Sequence, residues 1–263
     1  MPDAIETQIQ AALDAIERED GARVLYACES GSRAWGFAST DSDYDVRFIY
    51  ARPREAYLRL DAPRDVIERL IVGDLDVNGW DVFKALRLLR KSNPPLMEWL
   101  LSPIVYREVS PAIAALREAA GRCYSPLAMF AHYRSMAVGN HHAGIEGRAE
   151  VSRKKYLYVL RPLAAMLYLE QRRAVPPTSF ATTLAGVTLP DDVRERIGQL
   201  VADKMAGVEL GKAPPDALLD AFIAGRLAAW QEAPVAMRER GRWDTGELDA
   251  ILAGILREAD TQA

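Results

Sequence analysis

Cysteine is nearly absent: Cys28 and Cys123 are the only thiols in 263 residues. So widely separated, they match neither a zinc ligand set nor a redox pair. They read as small buried hydrophobes in a reducing compartment. Histidine is as scarce, with only His132, His141 and His142. Asn140-His141-His142-Ala143-Gly144 reads as a helix end, where the dipole favours an imidazole, and no second cluster completes a zinc shell. No run approaches the roughly 18 apolar residues of a spanning helix. Met1 to Asp20 carries acids throughout and lacks the apolar stretch of a signal peptide. No membrane association and a cytoplasmic location are therefore expected. Excess charge is missing too: 33 basic against 37 acidic residues leave a net −4, so any nucleic-acid contact needs a local basic surface. Repeats, low-complexity tracts and long linkers are also lacking. What remains, 49% hydrophobic and 27% charged, suits an ordinary globular chain with one large or two modest cores.

Hydrophobic spacing predicts a helix over 3–19 with Ile5, Ile9, Leu13 and Ile16 on one face, ended by Gly21. Arg23–Cys28 reads as a buried strand running straight into Ser30-Gly31-Ser32. A second strand is expected at Asp43–Tyr50, with Tyr44, Val46, Phe48 and Tyr50 on one face and Asp43, Asp45, Arg47 and Ile49 on the other. Residues 54–65 are irregular or hold a short helix. Val66–Val72 reads as a third strand, Gly73-Asp74 as a turn, and Leu75–Trp80 as a fourth strand presenting Asp76, Asn78 and Trp80 on one face. Asp81 is a natural N-cap for a helix over 82–91, which Asn93-Pro94-Pro95 stops; a further turn or two follows at 96–101. From Ser110 onward Ser-Pro and Pro-Asp starts introduce helices near 111–121, 126–140, 150–173, 191–206, 215–231 and 246–258, with no convincing strand alternation. The expected fold is α/β (α+β), with a short mixed sheet over residues 1–108 and an all-α region over 109–263.

Chemistry concentrates in Glu29–Tyr50. Asp43 and Asp45, two apart on a strand, point the same way with Cα atoms about 7 Å apart. Their carboxylates repel unless a cation lies between them, and hard oxygen donors with room for water suit Mg²⁺ or Mn²⁺. An isolated Asp-x-Asp is more often a solvated strand entrance. The Ser30-Gly31-Ser32 turn leaves backbone N–H groups and a hydroxyl facing outward, as phosphate oxygens require, although serine and glycine are common in any turn. The two features in succession are far more specific than either alone. Lys84, Arg87, Arg90 and Lys91 read as a solvated helix face. Lys154, Lys155 and Arg161 either edge an amphipathic helix or face a cleft. Trp35, Trp80 and Trp99 belong to the core or to a cleft wall.

The pattern resembles the DNA polymerase β-like nucleotidyltransferase superfamily, whose hallmark is Gly-Ser, then Asp-x-Asp, then a third acid. It is closer still to the bacterial and phage branch of RNA-repair-associated, YcgL-like (RlaP) nucleotidyltransferases. The stretches that carry this resemblance are Glu29–Phe37, Ser42–Tyr50, Gly79-Trp80-Asp81, Lys91–Pro94, Glu98-Trp99-Leu100 and Lys154–Arg161. The resemblance implies a catalytic domain over 1–108 and a helical domain over 109–263 closing the nucleotide cleft. It implies two Mg²⁺ (or Mn²⁺) ions on Asp43, Asp45 and a third acid: Asp76 by its strand position, with Asp74 and Asp81 as alternatives. Gly31, Ser32, Arg33, Ser42, Lys154, Lys155 and Arg161 would hold the nucleotide, ATP or another NTP.

The activity implied is transfer of a nucleoside monophosphate from an NTP to a hydroxyl, with release of pyrophosphate. The acceptor stays open among an RNA end, a protein side chain and a small molecule. The alternative is a non-catalytic nucleotide-sensing or protein-interaction module on the same fold. A nucleotide-sugar glycosyltransferase built on Asp-x-Asp lacks the repeated βα pattern its sheet needs.

Overall fold

The computed structural model describes residues 4–61, 63–207, 211–234, 237 and 243–260. The chain divides into two compact units, each discontinuous in sequence, where a single break after residue 108 was expected. The first comprises Met1–Ala34, Asp43–Tyr124 and Arg242–Ala263; the second comprises Trp35–Ser42 and Ser125–Gly241.

The first unit is built on a five-stranded sheet. Helix α1 (Ala4–Asp20) precedes β1 (Arg23–Glu29), the short helix α2 (Gly31–Trp35) and β2 (Tyr44–Ala51). After α3 (Arg54–Tyr57) come β3 (Val66–Glu68), β4 (Leu75–Asp81), α4 (Val82–Arg90), α5 (Pro94–Leu100), β5 (Val105–Glu108) and α6 (Ala112–Cys123). Strand order is β3-β4-β2-β1-β5. Only the β2–β4 pair is parallel, so the sheet is mixed. The last helix of the chain, α12 (Thr245–Asp260), also belongs to this unit; Arg122 meets Glu247, and Ser110 donates to Glu258 at 2.8 Å.

Alternation places the core. Val46, Phe48 and Tyr50 leave one face of β2 and meet Ile9, Leu13 and Ile16 of α1, all fully buried. Each such side chain contributes about 1.5–3 kcal/mol of burial. Gly79 lies opposite Phe48 in the register. A Cβ at Gly79 would overlap carbons of the Phe48 ring, so the ring's seat requires glycine there.

Three expectations change in this unit. The third strand stops at Glu68 rather than Val72, and Leu70, Ile71 and Val72 are exposed around the Gly73 turn. An apolar run on an edge strand lacks a second neighbour to prolong its pairing. Strand β5 was not anticipated, because Val105 and Glu108 are exposed and Tyr106 and Arg107 only half-buried, leaving no apolar alternation to read. Asn93 does not merely stop α4. Its Oδ1 accepts from Leu96 N–H at 3.1 Å and caps α5, whose first two residues are the prolines, positions where a missing N–H costs nothing.

The second unit is helical: α7 (Pro126–Gly144), α8 (Arg153–Arg172), α9 (Phe180–Ala185), α10 (Asp191–Met205) and α11 (Ala217–Ala229). A two-residue ribbon, β6 (Val151–Ser152) with β7 (Lys212–Ala213), was not expected among these helices. Helix α8 is the buried axis, with Leu157, Val159, Leu163, Met166 and Leu167 at 1% exposure or less. Tyr156 ties it to α11, its hydroxyl donating to Asp220 Oδ1 and accepting from Asp216 N–H, both at 2.8 Å. The segment Trp35–Ser42 is part of this unit, with Phe37 edge-on to Phe180 at 5.7 Å. Among the described residues no helix is long and apolar enough to cross a membrane.

Candidate active site

Antiparallel pairing of β1 with β2 and parallel pairing of β2 with β4 bring the end of β1 and the starts of β2 and β4 to one end of the sheet. Asp45 is fixed there by its backbone. Its N–H donates to Glu29 Oε1 at 2.8 Å and its carbonyl accepts from Ser30 N–H at 2.9 Å. Glu29 is fully buried and also accepts from the Tyr106 hydroxyl. Burial raises its carboxyl above the ordinary value, while Tyr106 and the Asp45 amide pull it down.

Gly31 begins α2 with φ +59°, and a Cβ there would overlap Asp45 Oδ2 and lie 2.9 Å from its Cγ. Both its left-handed backbone and its closeness to the carboxylate therefore call for glycine. Ser32 is the next residue of α2. Arg33 donates from Nε to the Asp43 carbonyl at 3.1 Å and stacks on Tyr44, 3.6 Å from the ring centroid.

Asp45 and Asp76 are register partners on parallel strands, so their side chains leave the same face. Arg47 bridges them: Nη2 is 3.0 Å from Asp45 Oδ1 and 2.7 Å from Asp76 Oδ2. Its Nη1 donates to the carbonyls of Val46 at 3.0 Å and Asp76 at 3.2 Å. The Asp45 and Asp76 side chains are 31% and 30% exposed and that of Arg47 18%. Desolvation pushes the Asp45 carboxyl up; Arg47 opposes this, and the charges of Asp76 and Asp43 add to it. Asp43 stands exposed just before β2. Of the other two candidates for third acid, Asp74 is exposed and its carbonyl accepts from Tyr44 N–H at 2.7 Å. Asp81 is 2% exposed and caps α4, accepting from Phe83 N–H at 2.9 Å and the Tyr57 hydroxyl at 2.8 Å.

The second unit holds the remaining nucleotide-binding candidates. Ser42 accepts from Ser39 N–H at 3.0 Å. Lys154 and Lys155 are exposed near the start of α8. Arg161 is 8% exposed and lies over the Trp35 ring at 4.0 Å, with Tyr158 edge-on to the same ring at 6.3 Å. Lys204 of α10 joins this group: its ammonium sits 4.8 Å from the Phe37 centroid and is depressed by burial and by the charge of Lys154.

Four side chains had no assigned role in the sequence reading: Glu29, Arg47, Asn78 and Lys204. Period two already put Arg47 on the face of Asp45, and Asn78 on that of Asp76. Nothing in the sequence revealed that Glu29 is buried. Among the described residues no three His, Cys, Asp or Glu side chains are gathered as a metal cluster. The donors present still fit a hard divalent cation: the adjacent carboxylates of Asp45 and Asp76, with Asp43 close enough for its charge to act on Asp45, are all oxygen ligands.

A short mixed sheet with paired carboxylates beside a glycine turn, joined to a helical unit, is the α/β architecture of a DNA polymerase β-like nucleotidyltransferase. The chain belongs to RlaP, the RNA repair pathway DNA polymerase beta family, whose sequence profile matches residues 5–253. It is 39% identical over 246 residues to the uncharacterized protein YcgL of Bacillus subtilis (strain 168), covering 94% of each chain. A crystal structure of a nucleotidyltransferase-like protein from Exiguobacterium sibiricum 255-15 aligns with 98% of this chain and 89% of its own, at 15% identity and a TM-score of 0.33.

Proposed function

We propose that the protein transfers a nucleoside monophosphate from an NTP to a hydroxyl acceptor and releases pyrophosphate. The observation that carries this reading is the register pairing of Asp45 with Asp76 beside the left-handed Gly31. In the reaction the acceptor oxygen bonds to the α-phosphorus as the bond to the β-phosphate bridging oxygen breaks; pyrophosphate takes that electron pair and the hydroxyl proton passes to solvent. Asp45 and Asp76, with Asp43 at the strand entrance, would hold Mg²⁺ or Mn²⁺, two ions in the family pattern, which when bound supplies Lewis-acid polarisation of the phosphoryl oxygens and a more acidic acceptor hydroxyl. Glu29 holds Asp45 in place through its backbone. Gly31 lets the turn approach that carboxylate, and Ser32, the next residue of α2, is assigned to the phosphates. Arg33, held against the Asp43 carbonyl in the first unit, is assigned to the triphosphate, whose charge it complements; Ser42, Lys154, Lys155 and Arg161 are the second unit's own nucleotide-binding candidates. The family's description supports an RNA end as acceptor.

One observation favours a second reading, a non-catalytic nucleotide-sensing module: Arg47 already pairs with both carboxylates and offsets one of their two charges. Incubation with each α-labelled NTP, Mg²⁺ or Mn²⁺, and in turn RNA, protein or no acceptor separates the two. A transferase moves label into the acceptor and releases pyrophosphate, and Asp43→Asn abolishes both. Nucleotide binding without label transfer to any acceptor establishes the sensing module instead.

A further inference from the structure

We propose that Arg47 gates cation entry: its guanidinium bridges Asp45 and Asp76 until a divalent cation takes those carboxylates, and then moves to Asn78 Oδ1. This rests on the reading of the acid pair as the metal site.

Three features support the gate. Arg47 spends one guanidinium nitrogen on both carboxylates and the other on the Val46 and Asp76 carbonyls. A planar fork is suited to such a bridge, whereas a lysine would be a single point charge. Asp45 has little else to offer an incoming cation. Asp45 Oδ2 is packed against Gly31, and Oδ1 is the oxygen that Arg47 holds. A cation bound by both acids therefore competes directly with the guanidinium.

The third feature is the second seat. Asn78 is the register partner of Arg47, on the neighbouring strand about 4.8 Å away and on the same face. Its Nδ2 reaches toward Glu68 Oε1 at 3.4 Å, while its Oδ1 is buried without a partner. Buried acceptors are rarely left orphaned, and each one requires an explanation. Here the orphan belongs to the register partner of Arg47, whose guanidinium must go somewhere when a cation arrives. Arg47 is thus a positioning residue, acting through the acid pair.

Titration of the full-length protein with Mn²⁺ by calorimetry tests this, using wild type, Arg47→Met, Asn78→Leu, the double variant and Asp45→Asn. Each half-exposed ion pair is worth a few-fold at most, so Arg47→Met should tighten Mn²⁺ by about tenfold. Asn78→Leu should weaken Mn²⁺ when Arg47 is present and leave the affinity unchanged when residue 47 is methionine. A general electrostatic or structural role for Arg47 would not produce that dependence. Should Arg47→Met fail to fold, Arg47→Lys makes the same comparison with a smaller gain, because an ammonium cannot bridge like the fork.

Equal affinities in wild type and Arg47→Met, with binding lost in Asp45→Asn, overturn the gate but leave the metal site standing. An Asn78→Leu effect of the same size in both backgrounds also overturns it. Absence of saturable Mn²⁺ binding in both wild type and Arg47→Met overturns the metal site, and the gate with it.

Discussion

Alanine at Gly31 places a methyl group where the Asp45 carboxylate stands. Two costs follow. At φ +59° a side chain meets the left-handed penalty of about 1–2 kcal/mol. The overlap with Oδ2 then turns the carboxylate off its rotamer, about 0.5–1.5 kcal/mol, and away from Arg47, about 0.5–1 kcal/mol for a half-exposed pair. Gly31→Ala should therefore destabilise the protein by about 2–4 kcal/mol. Gly21 supplies the control: its φ is +57° and nothing lies within 4 Å of an added Cβ, so Gly21→Ala should cost only the backbone term. In an Asp45→Ala background the colliding atoms are gone, and Gly31→Ala should fall to that same backbone cost, a coupling of about 1–2 kcal/mol. Urea unfolding of the four members of the cycle and of Gly21→Ala gives each quantity. Equal costs for Gly31→Ala in both backgrounds would refute the claim that Gly31 is there to make room for Asp45.

Two further predictions concern the supports of the site. Burial raises the Glu29 carboxyl above its ordinary value in the fold, so the native state holds that proton more tightly than the unfolded chain. The associated stability is present below the ordinary carboxylate value and is lost as pH rises through the raised native value. Glu29→Gln, which keeps an acceptor for Asp45 N–H, should gain stability relative to wild type as pH rises from the ordinary carboxylate value through the raised native one; a gap in urea midpoints that does not change with pH contradicts this. Gly79→Ala should cost about 1–3 kcal/mol through overpacking against Phe48, partly recovered in combination with Phe48→Leu. An unrecovered loss would place the strain elsewhere in β4.

Period and capping carried much of the fold in the sequence. Alternation along 44–50 separates Val46, Phe48 and Tyr50, which are buried, from Asp45 and Arg47. The starts at Asp81, Ser125 and Asp216 are helix caps whose side chains accept from the first turn. Less legible were features that depend on which strands pair. Arg47 could be put on the acid face, but its bridge to Asp76 needs β2 and β4 to be parallel neighbours, which a single sequence does not specify. Glu29 ends a strand of buried apolar residues, and its carboxylate is held by Tyr106, on the strand the sequence did not reveal. The return of α12 to the first unit, and the inclusion of Trp35–Ser42 in the second, depend on long-range packing that leaves no local mark.

Comparison of Asp76→Asn with Asp74→Asn in the labelled-NTP transfer assay tests the central claim most directly. Asp76 shares Arg47 with Asp45, whereas Asp74 is exposed in the turn before it. The account predicts that Asp76→Asn loses label transfer and pyrophosphate release while its thermal unfolding stays near that of wild type, and that Asp74→Asn keeps both activities. Undiminished transfer by Asp76→Asn would contradict it.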